Sequence, residues 1–306
     1  MHKSVHTLIG ETPLFELTHK LIPPNVRVIA KLEYMNPGGS IKDRLGVSLL
    51  KHAINNKYIT QKGTIIEPTA GNTGIALALA AVGTNVKVHC VVPEGFSREK
   101  QQLMQALGAT VHITPYEEGI EGAVAYAKKL TDEMPDSYSP CQFKNVQNPL
   151  TYYETLAPEL WSQLGGDIDV FIAGAGTGGT FTGTARYLKE KNSAIRTVVV
   201  EPEGSILNGG TPGPHRTEGI GMNQVSSVID PYFFDGIHTI SDHDAFHMTR
   251  QLARHAGLLV GSSSGAACCA ALKEAQTAKK GATIVTIFPD GGERYLSTGI
   301  YEEGKK

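Results

Sequence analysis

Four segments of the 306-residue chain place reactive or anion-binding groups directly ahead of helix-like stretches. The first is Asn36-Pro37-Gly38-Gly39-Ser40-Ile41-Lys42-Asp43-Arg44, a turn that releases the chain into a helix with Lys42 in its first turn. An ammonium there opposes the helix macrodipole, which favours the neutral amine that Schiff-base chemistry requires. The competing reading is an ordinary surface lysine paired with Asp43 or a neighbouring acid.

The second segment, Glu67-Pro68-Thr69-Ala70-Gly71-Asn72-Thr73-Gly74-Ile75-Ala76, brings hydroxyls, a carboxamide and backbone N–H groups to a helix start. That suits a carboxylate or phosphate, although Thr or Asn there could equally cap the helix. The third, Ala173-Gly174-Ala175-Gly176-Thr177-Gly178-Gly179-Thr180-Phe181, follows the apolar strand Val170 to Ala173. Its glycines let bare backbone approach an anion with several N–H groups converging on it. Gly174-x-Gly176-x-x-Gly179 also matches the dinucleotide fingerprint, and Glu201 stands where a ribose-binding acid would follow, so a nicotinamide-dependent oxidoreductase is the rival reading. The fourth, Gly261-Ser262-Ser263-Ser264-Gly265, is a serine turn into an alanine-rich helix, an arrangement that usually means capping.

The elements that must position these groups alternate along the chain. Short β-branched runs at Val26 to Leu32, Thr64 to Glu67, Val86 to Val92, Thr110 to Ile113, Val170 to Ala173, Val198 to Glu201 and Thr283 to Phe288 predict strands. Helical periodicity follows Asp43, Asn72, Arg98, Ile120, Thr180, Asp244 and Gly265. The pattern predicts an α/β protein with mainly parallel sheets, whose ligands gather at the carboxyl ends of strands. The glycine-rich stretch Gly204 to Gly221 is the longest irregular one, a common place for function.

A net charge of -2 offers no basic field to a nucleic acid or an anionic membrane. No apolar stretch is long enough to span a bilayer, and the N-terminus lacks a signal-peptide core, so the cytoplasm is the expected location. Cys90, Cys141, Cys268 and Cys269 have no framework spacing and read as reduced thiols. His243 and His247 share a helix face, but nothing supplies a third ligand, so no metal is expected.

Taken together, the order and spacing of seven blocks resemble the cysteine synthase and cystathionine β-synthase family of fold-type II pyridoxal-phosphate enzymes. The blocks are Thr12-Pro13-Leu14, Asn36 to Arg44, Glu67 to Gly74, Gly174 to Thr180, Glu218-Gly219-Ile220-Gly221, Ser262 to Gly265 and Glu293-Arg294-Tyr295-Leu296-Ser297. In detail the chain is most similar to the short bacterial O-acetylserine-dependent cystathionine β-synthases, through Thr69 to Thr73, Glu201 to Gly210 and Gly261 to Gly265.

The resemblance implies two intimately packed three-layer domains, a smaller mobile one over residues 41 to 147 and a larger one over 1 to 40 and 148 to 306. It implies that Lys42 carries pyridoxal 5'-phosphate and moves protons at the substrate Cα and leaving group. Asn72 would contact the cofactor's ring oxygen, Gly176, Thr177, Gly178, Gly179 and Thr180 would hold its phosphate, and Ser263 would face its pyridine nitrogen. Thr69, Gly71, Thr73 and Gln142 would bind the substrate α-carboxylate.

The implied reaction is β-replacement on O-acetylserine, with homocysteine as acceptor and cystathionine as product, or with sulfide in a cysteine synthase. Ala70 stands where many cysteine synthases have serine, which bears on that choice. A homodimer is implied, with neither a C-terminal regulatory domain nor an N-terminal haem extension. A non-catalytic scaffold is the remaining alternative; Lys42, Asn72 and Ser263 speak against it.

Overall fold

The computed structural model describes residues 2–17, 22–69 and 71–302. In chain order its strands are β1 (Leu14–Glu16), β2 (Arg27–Leu32), β3 (Thr64–Pro68), β4 (Lys87–Pro93), β5 (Thr110–Thr114), β6 (Ser137–Tyr138), β7 (Val170–Gly174), β8 (Arg196–Pro202), β9 (Gly236–Ile240) and β10 (Thr283–Phe288). The helices are α1 (Lys42–Asn55), α2 (Asn72–Ala81), α3 (Arg98–Ala106), α4 (Gly119–Glu133), α5 (Gln147–Glu154), α6 (Leu156–Gln163), α7 (Gly179–Lys191), α8 (Asp242–Ala256) and α9 (Ser262–Thr277). Every strand and helix expected from the patterning is present, with shifted ends; β1, β6, β9, α5 and α6 are additional.

The chain divides into two compact units, Met1–Ile9 with Asn36–Gln147, and Gly10–Met35 with Asn148–Lys306. The first has a parallel four-stranded sheet in the order β5-β4-β3-β6. α4 covers one face of it, packing Ala123 and Ala127 against Ile66 and Val91. α2 packs on β4 and α1 on α2.

The second unit has a six-stranded sheet in the order β1-β2-β10-β7-β8-β9, parallel except where β1 meets β2. Its inner strands β2, β10, β7 and β8 are buried on both faces along most of their length, which is why they read as near-continuous apolar runs. Val170 and Ile172 pack with Phe246 of α8 and Ala266 of α9 in one core. Phe171, between them in sequence, turns the other way and stacks on Phe181 of α7 at 6.2 Å.

The stretch Gly204 to Gly221 is irregular, as expected. It is anchored rather than loose. Asp242 accepts the N–H groups of Arg216 at 2.6 Å and Thr217 at 2.8 Å, and Glu201 accepts those of Leu207 at 2.8 Å and Asn208 at 2.9 Å.

Candidate active site

In the smaller unit Lys42 is the first residue of α1 and is half-buried. The turn before it is fixed by the chain's own groups. Gly39 adopts φ 76°, open mainly to glycine, and donates its N–H to the Asn36 carbonyl at 2.7 Å. The fully buried Asp43 carboxylate accepts the Gly38 N–H, and a Cβ at Gly38 would stand 2.4 Å from Asp43 Oδ1. Ser40 Oγ accepts the Lys42 N–H at 3.2 Å. Proline, two glycines, serine and aspartate thus set the entry angle of the helix that carries the lysine.

β3 delivers the second segment to the start of α2. Thr69 is buried and its Oγ1 accepts the Gly71 N–H at 3.2 Å. Gly71 is the N-cap of α2 and, as a glycine, brings no side-chain cap of its own to that helix. A helix start with no side-chain cap is a site for an anion. Thr73 Oγ1 donates to Gln142 Oε1 at 2.7 Å, bringing together two residues predicted to share one function from 69 positions apart. Ala70, the residue that bears on acceptor choice, lies outside the described residues.

In the larger unit β7 runs into the glycine segment. Gly178 is the N-cap of α7 in a left-handed conformation, φ 89°, with no side chain of its own to cap the helix, and Thr177 Oγ1 accepts the Gly179 N–H at 3.4 Å. A Cβ at Gly176 would lie 2.3 Å from the Gly219 carbonyl oxygen, and one at Gly179 would lie 2.0 Å from Asn148 Oδ1. Asn148 Nδ2 donates to Thr177 Oγ1 at 3.0 Å, and the Gly221 N–H donates to the Ala175 carbonyl at 2.8 Å. The cup from Gly176 to Thr180 is therefore backed by Asn148 and the Glu218–Gly221 segment. Bare backbone at a helix start fits a phosphate.

Of the three serines that open α9, Ser264 has a fully buried hydroxyl without a hydrogen-bond partner among the described residues, and Ser263, the second residue, is 4% exposed. Ser262, beside it, accepts the Glu218 N–H at 3.2 Å. A Cβ on Gly219 would lie 3.8 Å from Ser263 Oγ, so the strip that backs the cup also runs past this serine. A serine hydroxyl, able to donate or accept, is chemically suited to a pyridine nitrogen.

The dinucleotide reading loses its ribose-binding acid here. Glu201 is fully buried and its carboxylate is occupied by the amides of Leu207 and Asn208 and by Thr239 Oγ1 at 3.2 Å. Glu67 repeats the device in the smaller unit, accepting the N–H groups of Cys141 and Gln142. Sequence reasoning passed over it, although Glu-Pro at the end of a buried strand occurs at both Glu67-Pro68 and Glu201-Pro202.

His243 and His247 stack at 6.4 Å on α8, with His243 Nδ1 3.1 Å from Asp244 Oδ1. Among the described residues no group of three or more His, Cys, Asp or Glu side chains is placed to hold a metal ion, and no helix is long and apolar enough to cross a membrane.

Comparison with known proteins places this geometry in a family. The profile of the family described as pyridoxal-phosphate dependent enzyme matches residues 5–290. A cysteine synthase of Helicobacter pylori is 58% identical over 96% of both chains. An O-acetylserine dependent cystathionine beta-synthase of Bacillus subtilis is 55% identical over 97% of both. The crystal structure of O-acetylserine dependent cystathionine beta-synthase from Helicobacter pylori superimposes with a TM-score of 0.95 at 56% identity, covering 98% of this chain and 99% of that one. With Lys42 at its helix start, a glycine cup and a serine at the start of α9 all present, the chain belongs to the pyridoxal-phosphate dependent enzymes, in the cysteine synthase and cystathionine β-synthase branch that performs β-replacement.

Proposed function

We propose that the chain replaces the acetoxy group of O-acetylserine by the thiol of homocysteine, releasing acetate and giving cystathionine. The observation that carries this reading is the match over nearly the whole chain, at a TM-score of 0.95, to a Helicobacter pylori protein named for O-acetylserine-dependent cystathionine synthesis. Ala70 in the substrate loop supports it. The second reading, sulfide as acceptor and cysteine as product, is favoured by the Helicobacter pylori relative named cysteine synthase.

Pyridoxal phosphate supplies, when bound, an electron sink for bond cleavage at the substrate Cα and Cβ. The chain supplies the rest. Lys42 holds the cofactor, takes the proton from the substrate Cα and returns one to the leaving acetate. Gly176, Thr177, Gly178, Gly179 and Thr180 would hold the phosphate at the positive end of α7, and Asn72 would contact the ring oxygen. Ser263 would meet the pyridine nitrogen as a neutral hydroxyl, a partner suited to prompt expulsion of a β-substituent.

Thr69, Gly71, Thr73 and Gln142 bind the substrate α-carboxylate. The Thr73 hydroxyl occupies Gln142 Oε1, so Gln142 meets an anion with its NH2 end. Closure of this loop over the amino acid excludes water. The working form is a homodimer.

A competition assay decides the acceptor. Homocysteine and sulfide are supplied together at equal concentration with O-acetylserine, and the products are separated. Cystathionine in excess supports this reading; cysteine in excess replaces it by the second.

A further inference from the structure

Glu67 is a buried carboxylate that the proposed chemistry does not use. It is 0% exposed, and its hydrogen-bond partners among the described residues are two backbone donors. The Cys141 N–H donates to Oε2 at 2.9 Å and the Gln142 N–H to Oε1 at 3.0 Å. Cys141 adopts the left-handed region, φ 51°, in which successive amides converge on one anion. Both facing groups are donors, and the ionised carboxylate accepts from both at full strength. Protonation makes one oxygen a hydroxyl, a weaker acceptor, and so loosens one of the two bonds.

Among the described residues the surroundings offer Glu67 no compensating charge. β4 places Cys90 directly opposite it, and β6 brings Tyr138 next to Ile65. Cys90, Tyr138 and Cys141 are weak acids that burial pushes further up, so all three are neutral where enzymes work. α2 has no charged residue, and α4 presents Ala123 and Ala127 to Ile66 on the opposite face of β3. Among the described residues no cation offsets the burial, which pushes the Glu67 carboxyl up to about 7 against the pull of the two amides.

An uncompensated carboxylate in a core is costly, and here it is spent on the two residues of one loop. That loop carries Gln142, and Gln142 accepts the Thr73 hydroxyl at 2.7 Å. We infer that Glu67 is a positioning residue of the amino-acid carboxylate subsite: its carboxylate holds the Cys141–Gln142 backbone so that Gln142 meets Thr73, and amino-acid affinity follows its ionisation. This rests on the proposed assignment of Thr69, Gly71, Thr73 and Gln142 to the substrate α-carboxylate.

The test uses holoenzyme and L-alanine, an amino acid with no β-leaving group, titrated while the cofactor's visible absorption is followed. Wild type is compared with Glu67→Gln at pH 6 and pH 8. The amine of alanine ionises identically in both titrations, so the ratio of the two dissociation constants isolates Glu67. The ratio should be near one at pH 6 and rise to about tenfold at pH 8, the loss of one well-made hydrogen bond. In parallel, hydrogen exchange of the Cys141 and Gln142 amides at pH 8 should be faster in Glu67→Gln.

A ratio of one at both pH values, or a raised ratio that ignores pH, overturns the inference. Should Glu67→Gln not fold, wild type alone decides: protection of the two amides, corrected for intrinsic rates, must fall from pH 8 to pH 6, and constant protection overturns it. If neither L-alanine nor O-acetylserine changes the spectrum of either protein, the carboxylate assignment fails and the subsite role with it. The exchange data then still report whether Glu67 holds the loop.

Discussion

Gly46 lies so close to α2 that a Cβ on it would stand 2.4 Å from the Ala76 carbonyl oxygen. Gly46 is one turn beyond Lys42 and Ala76 one turn beyond Asn72, so this contact sets the spacing of the two helix starts that carry those residues. Gly46→Ala should destabilise the protein by about 1–3 kcal/mol, because overpacking against backbone outweighs the ~1 kcal/mol that alanine gains over glycine in a helix. Urea titration checks this. A variant as stable as wild type would mean that α1 and α2 part without cost.

Gly176→Ala should spoil the phosphate cup, since the added methyl meets the Gly219 carbonyl at 2.3 Å and the neighbouring strip cannot yield without disturbing the Gly221 to Ala175 bond. Cofactor affinity, measured by dialysis and absorbance, should fall by roughly tenfold or more, the equivalent of losing one or two anion contacts. Unchanged affinity would place the phosphate elsewhere.

Much of this was legible beforehand because it is written in local chemistry. Pro37, Gly38, Gly39 and Asp43 announce a tight turn into a helix, and the glycines from Gly174 to Gly179 announce bare backbone at another. What stayed hidden depends on partners far away in sequence. Glu201 has the position of a ribose-binding acid, and only the fold of Leu207 and Asn208 onto it shows a scaffold role. Glu67 looks like a strand end until Cys141 and Gln142 are brought to it. β9 escaped notice because its residues are half-buried up to Ile240 and form no apolar run. In α5 and α6 the prolines Pro149 and Pro158 read as breakers, yet each sits in a first turn, where no intrahelical donor is lost.

Glu67 also makes a prediction about stability. Its carboxyl sits at about 7 in the fold against 4.5 for the free group, so its contribution to stability is full below 4.5 and is lost as pH rises through about 7. The shift corresponds to about 3 kcal/mol. Relative to wild type, Glu67→Gln should therefore gain up to that amount between pH 4.5 and pH 8 in urea unfolding. An equal difference at both ends would contradict a raised carboxyl at this position.

The thiols should resist alkylation. Burial pushes Cys90 and Cys269 up to about 12 and Cys268 higher still. At pH 8 roughly one thiol in ten thousand at Cys90 is then a thiolate. Iodoacetamide on the folded protein should leave Cys90 and Cys268 unmodified by mass spectrometry, while the urea-denatured chain reacts at all four cysteines. Labelling of either in the folded protein would contradict the packing described.

The most direct test of β-replacement is the visible spectrum of the purified protein as O-acetylserine and then homocysteine are added. The cofactor band should shift on O-acetylserine and return on homocysteine, with cystathionine and acetate formed in equal amounts. Lys42→Ala should abolish both changes. A band that does not respond to O-acetylserine, or a Lys42→Ala protein that turns over as wild type does, would contradict the account.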